Sequence, residues 1–203
     1  MRPAAEETRA ARRKRATEAR LLDAALAVFC ARGYDAATTA EMARAADVAA
    51  GTFYLHFRDK RAAFERLARE AAHDLLARWR AAMRPGMRVA ERVALGLRLA
   101  ADFWRADLQR ARLLLEGGPS FGSEGHLRFV DEIAAALREL NPPTDHSLPA
   151  RSLALIVAGL GIEIGRLVVA DPDANVEELI LLVHRSLAHL DVTSVQKRRS
   201  IGR

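Results

Sequence analysis

A chain of 203 residues, half of them apolar, is long enough for one small domain and one medium domain, each with a real core. Its single cysteine, Cys30, excludes an intramolecular disulfide framework and a cysteine-based metal cluster. The formal charge of +6 fits a polyanionic partner, but its placement says more: residues 1–20 hold seven Arg or Lys against three Glu, whereas residues 21–60 hold four against five Asp or Glu. Ala, Leu and Arg dominate, strand-type alternation is missing, and Pro and Gly fall between periodic runs, so the expected class is all-α. No leader is expected, because the first twenty residues are charged without an apolar run. The most apolar stretch, residues 153–162, is interrupted by Glu163 and Arg166, so a soluble cytoplasmic protein is expected.

In chain order, residues 1–15 read as a basic flexible arm carrying Arg9, Arg12, Arg13, Lys14 and Arg15. A small domain then runs over residues 16–59. Its first helix begins at about Thr17, faces inward with Leu22, Ala25, Leu26 and Phe29, and stops at Gly33, with Tyr34 over its end and Cys30 read as core. Thr38 and Glu41 have the spacing of a capping box, starting a short helix that points Met42 and Ala43 inward. Asp47 tolerates the left-handed conformation of a tight turn, and Val48 fills the angle between that helix and the next. The second short helix starts at about Ala50 without a capping Ser or Thr, since Ala49 precedes it, and Asp59 caps the helix after it. Two short helices joined this tightly form a helix-turn-helix.

Phe29, Gly33, Tyr34, Thr38, Met42, Ala43, Ala46, Val48, Gly51, Thr52, Tyr54, His56, Phe57 and Lys60 stand at the spacing by which this stretch resembles the TetR family of bacterial transcriptional regulators. The resemblance covers about the first third of the chain. Asp47 departs from the usual turn glycine and Ala49 from the common capping Ser. The resemblance implies a DNA-binding amino-terminal domain and a homodimer. Carried over residue by residue, it implies phosphate contacts from Tyr54, His56 and Lys60, helped by Thr38. Ala49, Ala50, Thr52 and Leu55 then meet base edges, Gly51 allows close backbone approach, and Arg44 is a further base or phosphate contact. Small apolar reading residues point to thymine methyls and to a large share of recognition from DNA shape. The basic arm abuts this reader and is expected to reach a flanking minor groove or phosphates.

Residues 60–191 read as a helical effector-binding and dimerisation domain. A long helix from Lys60 carries Phe64, Leu67, Ala68, Ala71, Leu75 and Trp79 inward up to a break at residues 84–86, and would carry a ligand-driven displacement to the reader. Helices follow at about residues 87–105, 108–115 and 127–140, with residues 116–125, rich in Gly, read as a pocket-opening connection or a plain surface loop. Candidate pocket walls are Trp79, Met83, Met87, Phe103, Trp104, Leu114, Phe121 and Phe129, with Glu163 and Arg166 as polar groups. The last two helices are apolar on more than one face. Leu153, Val157, Leu160, Gly161, Ile164, Gly165 and Val168 on one, with Leu179, Leu182, Val183, Ser186, Leu187 and His189 on the other, are expected to form a four-helix dimer interface. Residues 192–203 read as a basic flexible tail.

Enzyme readings find no support in the sequence: Ser120, His126 and Asp131 lack a nucleophile elbow, and no phosphate loop, dinucleotide fingerprint or metal-site spacing occurs. No cofactor or metal is expected. The expected function is a TetR-like repressor that binds a palindromic operator as a homodimer and is released by a small molecule, hydrophobic or amphipathic in character. The alternative is a helical DNA-binding protein without an effector, architectural or constitutively repressing.

Overall fold

The computed structural model describes residues 8–84, 86–115, 123–140 and 150–200, the side chains of 123–126, 139–140 and 189–200 excepted. The described residues form helices and no strand: α1 (Arg9–Ala36), α2 (Thr39–Ala45), α3 (Ala50–Tyr54), α4 (Lys60–Ala82), α5 (Val89–Ala106), α6 (Leu108–Leu115), α7 (Ser123–Leu140), α8 (Ala150–Ala170) and α9 (Glu177–Ser200). The all-α expectation holds. The chain divides into two compact units, one running through Glu70 and the other beginning at Ala71, so the boundary falls inside α4 rather than before Lys60.

In the first unit α1 starts earlier than expected. The Thr8 hydroxyl accepts from the Ala11 amide at 3.2 Å, and the helix runs from Arg9, so the predicted arm is helical over residues 9–15. Gly33, at φ 76° and ψ 163°, interrupts the helix near its end. Leu21, Leu22, Ala25 and Phe29 are buried with Met42, Ala43, Phe53, Phe57, Phe64 and Leu67. Tyr34 closes the end of α1 as expected, stacked on Phe29 at 5.4 Å and edge-on to Phe64 at 5.3 Å. Burial there pushes its phenol pKa up.

The second unit is organised around α5, which packs against α6, α8 and α9, while α7 packs on α8. On α4, Leu76 rather than Leu75 is fully buried, beside Trp79. The Trp79 indole lies across Gly96 and donates to the Arg92 carbonyl at 2.9 Å, fixing α4 to α5. A Cβ on Gly96 would fall 3.0 Å from that indole nitrogen, so a larger residue would have to push the ring by a few tenths of an ångström. Gly165 does the same work on α8, where a Cβ would meet Leu115 at 2.7 Å and Trp104 at 2.8 Å. On the other flank of α5, Arg98 Nε donates to both Glu177 carboxylate oxygens at 3.0 and 3.1 Å. Arg105 donates to the Pro172 and Ala174 carbonyls at 3.1 and 2.9 Å, clamping the turn between α8 and α9. By length and composition α8 could cross a membrane, yet it is a packed helix with Leu153, Ala154, Ile164 and Val168 inside the unit's own core. The backbone of α9 continues to Ser200, past the point where a flexible tail was expected.

Among the described residues, three carboxylates are held below their ordinary range: Glu41 chiefly by the Thr38 hydroxyl, then by Arg32; Glu91 by the Arg88 amide; Glu177 by the Arg98 guanidinium. A depressed carboxylate stabilises fully above its unfolded value, about 4.3, and that contribution fades as pH falls through the lowered folded values. The urea midpoint is therefore expected to fall as pH drops below about 4.3. A midpoint that rises on acidification would contradict this account.

Candidate nucleic-acid interface

The interface is built by local rules in the first unit. Thr38 caps α2: its hydroxyl accepts from the Glu41 amide at 3.2 Å, while the Glu41 carboxylate accepts from the Thr38 amide at 3.1 Å and hydroxyl at 2.9 Å. Arg32 holds the other Glu41 oxygen at 2.8 Å, tying α1 to the cap. The turn after α2 places Asp47 at φ 53°, the one positive φ among described non-glycine residues, and the Val48 amide donates back to the Ala43 carbonyl at 3.0 Å. Ala49 then precedes α3 with no side-chain cap. The Asp59 carboxylate accepts from the Ala62 amide at 2.7 Å and starts α4.

α3 buries Phe53 and turns the rest of its surface outward. Ala49, Ala50, Gly51, Tyr54 and Leu55 are exposed, Leu55 by 77%, and Thr52 is half-buried. A solvent-facing leucine of that degree gains nothing for the fold. Gly51 has an ordinary φ, and a Cβ there would meet nothing within 4 Å. The fold therefore does not require glycine at this position, and helix propensity disfavours it. Arg44 is exposed at the end of α2. The Tyr54 and Thr39 hydroxyls share a hydrogen bond of 2.9 Å, which orients the phenol from the neighbouring helix. Sequence reasoning missed Thr39, because nothing local links residues so far apart in the chain.

Three predicted phosphate contacts are placed differently. Lys60 points back to the end of α1: its ammonium donates to the carbonyls of Tyr34, Asp35 and Ala37 at 2.8, 2.8 and 3.2 Å and lies 4.8 Å from the Tyr34 ring centroid. All three donors are engaged on helix-terminal carbonyls, which leaves none for a phosphate. The His56 side chain is 6% exposed, and its Nδ1 faces Glu18 at 3.9 Å, inward toward α1. The Thr38 hydroxyl is committed to the cap. Of the expected phosphate donors, Tyr54, 57% exposed, and Arg44 face solvent, while Thr38 is exposed with its hydroxyl in the cap. Lys60→Met is accordingly expected to destabilise the protein by about 1–3 kcal/mol, read from the urea midpoint, with the salt dependence of DNA binding unchanged. Unchanged stability with a shallower salt dependence would return Lys60 to the phosphate set.

The second unit sorts the remaining candidates by burial. Trp79 is core, its indole N–H satisfied by Arg92. Phe103 is buried, with Met83, Met87, Trp104, Leu114 and Phe129 half-buried; Phe121 lies outside the described residues. Trp104 stands edge-on to Phe103 at 5.1 Å, and its buried indole N–H has no acceptor among the described residues. Glu163 and Arg166 pair with each other at 2.7 Å on the exposed face of α8, so they are not polar groups of an interior pocket. The expected dimer set divides as well. Leu153, Val157, Ile164, Gly165 and Val168 are buried within the protomer and present no area to a partner. Gly161 faces Ala100 of α5 at 3.9 Å, so the two glycines bring α8 against its own unit. Leu160, Leu179, Val183 and Leu187 are half-buried, Leu182 and Ser186 are exposed, and the His189 side chain lies outside the described residues. The exposed apolar stripe of α8 is Leu155, Ile156 and Leu167, and that of α9 is Leu181 and Leu182.

Residues 21–67 match the family model described as bacterial regulatory proteins, tetR family. No curated protein matches the sequence. Solved structures share the fold. The fatty acid degradation regulator FadR of Bacillus halodurans aligns with a TM-score of 0.66 at 23% identity, over 84% of this chain and 93% of that one. FadR of Bacillus subtilis, solved in complex with stearoyl-CoA, aligns at 0.60 and 20% identity over 83% and 96%. A tetR-family transcriptional regulator of Streptomyces coelicolor aligns at 0.61 and 23% identity over 93% and 86%.

Proposed function

We propose that this chain, whose residues 21–67 match the model of the bacterial regulatory proteins of the tetR family, represses transcription as a homodimer bound to a palindromic operator and leaves the DNA when a small molecule binds its second unit. The observation that carries the reading is the outer surface of α3, where Ala49, Ala50, Gly51, Tyr54 and Leu55 face solvent beside an interior that holds Phe53 alone from that helix. Small residues and an unneeded glycine let the backbone approach base edges, Leu55 meets thymine methyls, and Tyr54 with Arg44 supplies donors to the backbone. Such a regulator acts in the bacterial cytoplasm, where the DNA is, and catalyses no reaction.

The dimer forms through the outer faces of α8 and α9. Leu155, Ile156, Leu167, Leu181 and Leu182 are all more than a third exposed, which gives an apolar surface whose burial drives association. Twofold pairing of such faces is isologous and matches inverted half-sites. Leu182 and Ser186 remain from the sequence-derived set, and the buried members give way to the exposed stripe.

The effector is an amphipathic molecule with an apolar chain and hydrogen-bond acceptors. Apolar side chains dominate the second unit's interior, and the buried Trp104 N–H has no acceptor among the described residues. The stearoyl-CoA bound to a structural neighbour makes long-chain acyl thioesters the first class to test. A differential affinity of about 1–3 kcal/mol between two states changes operator affinity about 5- to 150-fold. The deciding experiment is footprinting of the purified protein on the DNA upstream of its own gene, across a salt series and with or without acyl-CoA. A symmetric protected site, lost with acyl-CoA, supports the proposal. Uniform coating without a site favours the architectural alternative.

A further inference from the structure

The first turns of α1 carry Arg9, Arg12, Arg13, Lys14 and Arg15 with no acidic residue from Arg9 to Thr17, and these five side chains are exposed; Glu6 and Glu7 precede the helix, outside the described residues. The charges are badly placed for a helix left to itself. Cations at a helix amino terminus oppose its dipole, and Arg9 with Arg13 and Arg12 with Arg15 are like-charge pairs at helical contact spacing. A polyanion would reverse the sign of both effects.

The position of this segment follows from Glu18. One Glu18 carboxylate oxygen lies 3.9 Å from His56 Nδ1, two residues beyond the end of α3, and the other lies 3.4 Å from Arg66 of α4. Glu18 thus marks the level of the carboxy-terminal end of the reading helix. The basic turns continue past it for about 14 Å, the rise of nine helical residues.

We infer that residues 9–14 form a second DNA-binding element, a helical rail that lies against duplex phosphates flanking each half-site. This rests on the proposed operator-binding function. The helical state decides the mode of contact. An α-helix with its side chains is about 10–12 Å across, whereas the minor groove is about 6 Å wide, so the rail lies over the backbone and does not enter that groove. Its contacts are therefore blind to sequence and strengthen operator and random DNA alike.

The test is the full-length variant Arg9→Gln, Arg12→Gln, Arg13→Gln, Lys14→Gln, in which glutamine keeps helix propensity and Arg15, with a partner of its own, is left in place. Binding to the footprinted upstream duplex and to a scrambled duplex of equal length is measured across salt, with the urea midpoint as fold control. The slope of log affinity against log salt is expected to become shallower by about 4 to 7 for both duplexes, since the dimer loses a rail at each half-site, with their affinity ratio unchanged. An unchanged slope, with wild-type protein still binding, overturns this inference alone. A collapse of the ratio also overturns it, since it would mean that an unfolded arm reads the minor groove. Failure of the wild-type protein to bind either duplex would overturn the operator-binding function itself.

Discussion

Gly51→Ala is expected to make the protein more stable and a worse DNA binder. Alanine exceeds glycine in helix propensity by about 0.8–1 kcal/mol, and the new methyl would meet nothing within 4 Å in the folded chain. The urea midpoint should therefore rise. The same methyl stands on the exposed surface of α3, where it separates the backbone from the base edges. Loss of a close contact of this kind is worth about 1–3 kcal/mol, so operator affinity should fall about 5- to 150-fold. Parallel denaturation and binding titrations separate the two effects. Operator affinity equal to or above wild type would mean that α3 does not face DNA.

Ile156→Glu combined with Leu182→Glu should dissociate the dimer without unfolding the protomer. The two side chains are 51% and 62% exposed, so the folded chain loses little when they become charged. Buried against a twofold partner, four like charges would instead be brought together and desolvated, a penalty of several kcal/mol. Sedimentation velocity should report a monomer at micromolar protein, and binding to a two-half-site operator should drop at least about 100-fold, because two linked contacts become single ones. A variant that sediments as a dimer would reject this face. Val168→Glu is the contrast: Val168 is fully buried within its own protomer, and that substitution should unfold the second unit.

What could be read from the sequence was what is decided within three or four residues. The Thr38 and Glu41 cap, the left-handed Asp47, the uncapped start at Ala50 and the Asp59 cap all follow from neighbours in the chain. The inward placement of Lys60 and His56 could not be read for the opposite reason. Their partners, the carbonyls at the end of α1 and the carboxylate of Glu18, become neighbours only when the helices pack. α1 was begun too late because Thr8 has no acidic residue three positions on, so the capping-box signature is absent while the hydroxyl cap itself forms. On α8, apolar residues occur on every side. Periodicity then cannot tell the stripe that meets α5, α6 and α7 from the one left outside, and Leu153, Val157 and Val168 were assigned to the wrong one. The Trp79 contact over Gly96 could not be foreseen either, since it joins two helices across a break.

The placement of Trp79 across Gly96 has an optical consequence. Both tryptophans of the chain, Trp79 and Trp104, belong to the unit that begins at Ala71, and both tyrosines, Tyr34 and Tyr54, to the unit that ends at Glu70. Indole emission therefore watches the second unit alone, while far-ultraviolet circular dichroism watches the helices of both. A single unlabelled sample followed by both signals during denaturation reports whether the two units melt in one transition or two. The two indoles also differ in kind. Trp79 has its N–H bonded to a carbonyl, and Trp104 has a buried N–H with no acceptor among the described residues. An emission shift on adding a small molecule, abolished by Trp104→Phe and retained by Trp79→Phe, would give effector screening a readout that needs no DNA.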